Sequence, residues 1–591
     1  MLRALESRFE LFGALRAGLW ATLQPIEKAQ DFGRSLLRRW RPSRLARPII
    51  PLILGNPELG RQIYRNRFML AGHAISGGTV SIFQKSVLEP AWLIELHGFT
   101  WLAHLEAAGS AMYRAFARTL ILDWLAAARG LPAEARRSDV AAVRLMALVR
   151  HAPFLLKGAG SAFEDKFLRL VARETAQMAH EPGRIEQALA LAYAVTAFES
   201  SLAFRAQAYE RLELAIAEQI LPDGGHVSRN PAILLNLLLD LVPLRSAIIA
   251  AREPLPQRLN AGIERMLPML RFFCHGDDGL AVIQGVADPA VRQMRAVFGQ
   301  DTTLGRPVSL AAYSGFSRMA HGQALVITDF GADAACSGPL AFEFSDGPSR
   351  IVVNCGLPAD GSKRWIYAAS GPAAHNTLSL DAGAADRAQG AFARWTGALR
   401  KKDAERRGVS ETSQHGTLFH GGNVLDGNLL HERDLYLGAA GDDFRGEDRF
   451  IRDNASDPAF TGLPYTLRFH LHPSVKATLS KDGGTVMLML ANRAAWRFAA
   501  KGCVVELTDS VYLAGLPQPR RTQQIVLKGV IGRHDRVNWA FKRLAKRDKR
   551  ETAQNAAPEL PFCWIGTKST QIYGLDVIRA LMPAVRWAGR G

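Results

Sequence analysis

From about Ala91 to Phe273, apolar residues recur three and four positions apart in one segment after another, as at Trp92, Leu93, Leu96 and Phe99, and again at Leu120, Leu122, Trp124 and Leu125. That spacing gathers them on one face of a helix. Breakers interrupt the pattern at short intervals, at Gly130-Leu131-Pro132, Gly158-Ala159-Gly160, Glu181-Pro182-Gly183, Leu221-Pro222-Asp223-Gly224-Gly225 and Glu253-Pro254-Leu255-Pro256. Helices so divided predict antiparallel hairpins. The segments follow no fixed period, so an irregular (α/α) toroid is expected rather than a regular repeat array.

Beyond about Val308 the period changes to short β-rich runs, at Ala324–Asp329, Leu340–Phe344, Ile351–Asn354, Thr377–Leu380 and Val486–Leu490. Ser345-Asp346-Gly347 sits between two of them like a hairpin turn. Many strands with no helices between them predict a sandwich rather than a parallel α/β sheet. The span 382–430, rich in glycine and charge, reads as a mixed strand-and-loop excursion. The expected fold class is therefore multidomain α and β, an N-terminal (α/α) toroid of helical hairpins followed by an antiparallel β-sandwich. The expected divisions are a basic helical segment at 1–70, the toroid at 71–305, the sandwich at 306–543 and a basic, poorly ordered tail at 544–591.

With 591 residues, 48% hydrophobic and 22% charged, the chain can bury more than one core and is neither disordered nor fibrous. Its net charge of +18 would suit a polyanion, but the charge is unevenly placed. Residues 1–70 hold thirteen Lys and Arg against five acids, and residues 541–591 hold ten against four, which leaves only about +4 for the middle. Solvated basic ends such as Arg38-Arg39-Trp40-Arg41 explain this better than a nucleic-acid surface, and no nucleic-acid partner is expected. The five cysteines are widely spaced and form no CxxC pair, so neither a disulfide framework nor a thiolate zinc site is indicated. No run reaches the roughly 18 apolar residues needed to span a bilayer, so a transmembrane protein is not expected. Leu11–Leu23 would suit a peripheral membrane-surface helix as well as an ordinary packed one. Charges at Glu6, Arg8, Glu10 and Arg16 break any secretory signal pattern. The oligomeric state is left open.

Several motifs carry chemistry. Trp92, Glu95 and Leu96 are followed by Trp101-Leu102 along a predicted helix from Trp92 to Leu105. Asp223-Gly224-Gly225-His226-Val227-Ser228-Arg229-Asn230-Pro231 closes one helix and opens another. Ala374-His375-Asn376-Thr377-Leu378-Ser379-Leu380-Asp381 is a strand motif, followed by His431–Leu437, Gly446–Phe450 and Arg468-Phe469-His470-Leu471-His472-Pro473. Over roughly residues 60–540 these motifs resemble the heparinase II/III-like family, with His-Asn-Thr the most specific piece.

The resemblance implies a lyase that performs β-elimination on a uronic-acid-containing acidic polysaccharide. The alternative is a non-catalytic glycan-binding or envelope polysaccharide assembly protein with a degenerate site. Elimination removes a proton beside a carboxylate, so it needs donors that neutralise the carboxylate, a base and an acid. His375 and His226 are the expected catalytic residues, and Arg229, Asn230, Trp92, Trp101 and Asn376 the expected substrate contacts. A second reading stands beside each: His375 as a satisfied buried strand end, and the His226–Arg229 region as a capped surface turn with Asp223, Ser228 or Asn230 as caps. The family's tyrosine two residues after the motif proline is replaced here by Ile233, and its asparagine near the preceding helix start is missing around Pro182-Gly183-Arg184-Ile185-Glu186. Tyr313, Tyr367 or Tyr436 are the available substitutes. No cofactor is required, but relatives with zinc or calcium in the sandwich suggest a structural ion on His470, His472 and Asp448. The resemblance implies a periplasmic or envelope location, and a cytoplasmic one stays open.

Overall fold

The computed structural model describes residues 40–544 except 78–80, 86–88, 181–183, 302–304, 332–337, 359–361, 381–407, 427–428, 453–461, 517 and 533–534. The expected helix at Leu11–Leu23, the tail beyond Leu544 and most of the predicted excursion lie outside the described residues. The chain divides into two compact units. One comprises Met1–Val227, Ile233–Leu267 and Arg292–Gly305, and the other Ser228–Ala232, Pro268–Val291 and Arg306–Gly591.

The first unit is helical, as the 3.6-residue period requires. Helix Ile185–Ala197 is buried on every side except at Glu186. It packs against helices Ser138–Arg150, Ser161–His180 and Leu202–Gln219. A helix apolar all round is a core element, and this one lies at the centre of its three neighbours. Pro57–Tyr64 is helical, but Arg67–Leu70 (β1) pairs with His73–Ser76 (β2), so the segment expected to be helical to residue 70 ends in a hairpin. The predicted single helix from Trp92 to Leu105 is two, Pro90–His97 and Leu102–Ala108, parted where Phe99 takes φ +58°.

Helix Pro231–Ala250 is long and apolar enough to cross a membrane by length and composition, against the expectation that no run reaches that length. In the structure Leu234, Leu235, Leu238, Leu241, Leu244 and Ile248 are buried, and Asp240 is paired with Arg150. It is a core helix of this unit.

The second unit is antiparallel β. Leu310–Ala311 (β3), Phe316–His321 (β4), Ala324–Asp329 (β5), Phe342–Asp346 (β6) and Ser349–Val352 (β7) form one sheet in that order. Leu378–Leu380 (β8), Pro464–His470 (β13), Val504–Tyr512 (β17) and Arg520–Val530 (β18) form a second, ordered β17-β18-β13-β8. The largest holds Gly408–Ser413 (β9), Gly416–Asp426 (β10), Leu429–Gly438 (β11), Asp443–Arg452 (β12), Lys476–Leu479 (β14), Thr485–Met489 (β15), Ala495–Lys501 (β16) and Arg536–Leu544 (β19). Its order is β14-β15-β16-β19-β12-β11-β10-β9.

Phe342, Phe344, Phe444, Phe469, Phe541, Trp496 and Trp539 fill the space between them, with ring centroids about 5 to 6 Å apart. Such offset and edge contacts add to the burial of the rings themselves. The hairpin between β6 and β7 turns at Gly347-Pro348, two residues later than expected, with Gly347 at φ +56°. The helix Lys363–Ser370, amid the strands, was not expected from the pattern.

Candidate functional site

His375 follows a short 3-10 turn, Pro372–Ala374, and leads into β8, so its backbone is extended and its side chain is held at the start of a strand. Gly338 lies against the imidazole, and a Cβ there would fall 2.5 Å from the ring. The ring is buried, and among the described residues its Nε2 has no hydrogen-bond partner. Burial pushes it down to about 4, with Asp329 and the Ala369 backbone pulling the other way, so it is neutral near pH 7.

Asp329, at the end of β5, is the organising anion of this region. It accepts from the Arg229 guanidinium, from Gln284 Nε2 and from the Gly331 amide at 3.0 Å. Because the carboxylate only accepts, Gln284 must turn its Nε2 towards it, which leaves Gln284 Oε1 buried and without a partner. Sequence patterns did not single out Asp329 or Gln284. The cue available was the buried acid closing an apolar run, Ala324–Asp329, where charge is otherwise rare.

Arg229 is 7% exposed and sits at φ +60°. Besides Asp329, its guanidinium donates to the Ser314 carbonyl at 2.7 Å and the Gly315 carbonyl at 3.3 Å, and lies 4.7 Å from the Phe316 ring centre. Gly331 lets it in, since a Cβ at that position would fall 2.1 Å from the guanidinium carbon. The expected substrate arginine is thus an internal ion pair that ties Ser228–Ala232 to the sandwich unit. Asn230 caps helix Pro231–Ala250, its Oδ1 accepting from the Ala232 amide at 2.8 Å. The capping reading therefore describes this residue, not the substrate contact.

Asn376 is likewise engaged throughout. Its Nδ2 donates to the Phe342 carbonyl at 2.8 Å, its Oδ1 accepts from the His470 amide at 2.6 Å, and its own amide donates to Asn354 Oδ1 at 3.1 Å. It clamps β6, β8 and β13 together and presents nothing to a sugar. His226, in the helical unit, is buried, with Nε2 3.1 Å from Gln219 Oε1, and burial lowers its pKa.

Trp92 and Trp101 are both 0% exposed. Trp92 Nε1 donates to the His73 carbonyl at 3.2 Å and Trp101 Nε1 to the Leu96 carbonyl at 3.0 Å. Trp101 packs with Phe83 and Phe99. These tryptophans are core, not platforms for sugar rings. Tyr436 donates to the His415 carbonyl at 2.7 Å, whereas Tyr313 and Tyr367 are exposed.

The three expected metal ligands are not brought together. Asp448 accepts from His431 Nε2 at 2.6 Å, Arg433 Nε at 2.7 Å and Trp539 Nε1 at 2.8 Å. Despite burial, Arg433 and His431 hold its carboxyl well below the usual range. His470 meets Ser510 Oγ at 2.7 Å and the Ala373 carbonyl at 3.0 Å, and burial together with neighbouring His375 takes it to about 3. His472 pairs with Ser474 and packs edge-on against Tyr512. Among the described residues no group of three or more His, Cys, Asp or Glu side chains could hold a metal ion. These residues do not fit the expected zinc or calcium.

Comparison with known proteins agrees with this architecture. Residues 303–540 match the model of the heparinase II/III-like C-terminal domain. The chain is 29% identical over 503 residues to FtsZ-localized protein C of Caulobacter vibrioides (strain NA1000 / CB15N), covering 80% of this chain and 86% of that protein. Among solved structures, a heparinase III aligns with a TM-score of 0.65 at 14% identity, over 89% of this chain and 91% of that one. The heparan sulfate lyase HepC from Pedobacter heparinus aligns at 0.54 and 13% identity, over 88% of each chain. At such identities the structural likeness speaks for the fold alone. Residues 303–540, with the His-Asn-Thr strand, thus carry a heparinase II/III-like C-terminal domain, and the chain as a whole shares the fold of the heparinase III structures.

Proposed function

We propose that this chain is a non-eliminating member of its family, a protein that binds an acidic polysaccharide without cleaving it and that localises with FtsZ, the property for which its Caulobacter relative is named. The observation that carries this reading is the internal engagement of the groups expected to handle substrate. Arg229 is committed to Asp329 and Asn376 to three backbone and side-chain partners. Ile233 stands where the family's tyrosine is expected. Elimination needs a neutralised carboxylate, a base and an acid at once, and a neutral imidazole held near 4 is a weak base for such a proton. Binding without elimination needs none of these three groups together.

The test is to incubate the full chain with a panel of uronate polymers, following near-ultraviolet absorbance of an unsaturated uronate and, in parallel, binding by calorimetry, while a fluorescent fusion is imaged with FtsZ. Binding to at least one polymer, flat absorbance and coincident fluorescence are expected. Rising absorbance would overturn the non-eliminating reading, failure to bind every polymer would overturn the glycan, and diffuse fluorescence would overturn the location. An active lyase is the second reading, favoured by the buried, unpartnered Nε2 of His375. It predicts absorbance that disappears in His375→Ala.

A further inference from the structure

In the helical unit, the segment 40–47 runs extended along the end of helix Ile185–Ala197. The amides of Ala46 and Arg47 donate to the Ala197 carbonyl at 2.8 and 2.9 Å, the Glu199 amide donates to the Arg44 carbonyl at 3.1 Å, and Leu45 pairs with Phe198 as an antiparallel bridge. Trp40 anchors the segment, its Nε1 donating to the Glu199 carbonyl at 3.2 Å and its ring edge-on to Phe198. Next to this seam helix Leu202–Gln219 begins, with Ser201 Oγ accepting from the Phe204 amide. Between the two lies a cavity of about 690 Å³, lined by Arg41, Arg44, Arg47, Arg205, Glu199 and Ser201 among others.

The chemistry of that lining is cationic. Arg47 and Arg205 converge on Glu253, at 2.8 and 3.3 Å, and Arg44 reaches Glu199 at 2.6 Å. Three guanidinium groups thus share two carboxylates, and the positive end of an 18-residue helix opens beside them. The Arg44–Glu199 pair has side chains 74% and 42% exposed. A pair so exposed contributes little, and either partner exchanges it cheaply for a ligand. Arg205 is held over the helix start by the Ser200 carbonyl at 2.6 Å, which aims its planar fork before any ligand arrives. Planar arginine forks match the oxygens of a phosphate in pairs. The volume falls in the range of pockets for small polar molecules rather than single ions.

We infer that this cavity binds a phosphate-bearing ligand, held by Arg44, Arg47 and Arg205 and by the helix start at Ser201. Free phosphate, a soluble phosphomonoester and a phospholipid headgroup share that chemistry. The site is independent of the polysaccharide reading, and it gives part of the basic N-terminal segment a role other than solvation.

Titrating the full chain with inorganic phosphate and with glycerol 3-phosphate by calorimetry, and floating it with phosphatidylglycerol or phosphatidylcholine vesicles, tests the assignment and separates the sources. Saturable binding of a soluble probe, or flotation restricted to the anionic vesicles, is expected. Loss of a charge-assisted contact weakens binding by about tenfold or more, and that loss is expected in both Arg44→Gln and Arg205→Gln. Arg44 is exposed, so its variant keeps the test open if Arg205→Gln fails to fold. Absence of binding to every probe, or binding unchanged in Arg44→Gln, would overturn the assignment.

Discussion

Arg229 holds a left-handed backbone conformation, φ +60°, that non-glycine residues adopt only under constraint. The constraint is its buried pairing with Asp329, reached across 100 residues of chain. Removing one member of such a pair leaves the other charge buried and alone, which costs about 3 to 5 kcal/mol. Arg229→Met is therefore expected to lower stability by about that amount, measured as the shift in a urea denaturation curve. An arginine reserved for substrate would instead leave the curve in place.

The histidines make a second residue-scale prediction. Burial takes His375, His472 and His97 to about 4 and His470 to about 3, with His375 adding to the shift of His470 and nearby arginines to those of the other two. An unfolded chain protonates the same groups near their ordinary 6.5. Between these values the unfolded state binds more protons, so the stability these histidines lend is complete above pH 6.5 and is lost as pH falls towards 4 and then 3. Denaturation midpoints at pH 7.5, 6 and 5 should decline in that order, and a flat profile would count against the burial of these rings.

At the scale of elements, the two periods along the chain were enough to separate helices from strands. β5 lies where the pattern put it, whereas the boundaries of β6 and β7 were displaced by two residues, because both are buried on both faces and show no alternation to mark their ends. Helix Lys363–Ser370 escaped because eight residues with exposed Lys363, Arg364 and Tyr367 carry too few apolar repeats to register. Helix Pro231–Ala250 shows the converse: its composition alone suits a membrane, and only its neighbours make it a core helix. Its start depends on the Asn230 cap, so Asn230→Ala should cost about 1 kcal/mol, read as a lower thermal midpoint with polysaccharide binding unchanged. A larger effect on binding than on stability would return Asn230 to the substrate.

For the whole molecule, helices first and strands afterwards, together with the His-Asn-Thr motif around His375, were sufficient for both architectures and for the resemblance of the sandwich, since hydrophobic period and local motif are properties of neighbouring residues. The site was legible only in part. His375 stands at the start of its strand as the motif predicts, and Asp329 carries only the faint cue of an acid closing an apolar run, whereas Gln284 and the glycines that admit Arg229 and His375 carry no local signal. The grouping of Ser228–Ala232 and Pro268–Val291 with the strands breaks the linear order of the chain and has no local signal either. By itself the sequence determined that a helical half precedes a stranded one, because periodicity acts within a few residues. Only the tertiary structure decided that Arg229, Asn376, Trp92 and Trp101 face inward, because an orphaned polar group in a low-dielectric interior must find its partner wherever the fold brings one, however distant along the chain.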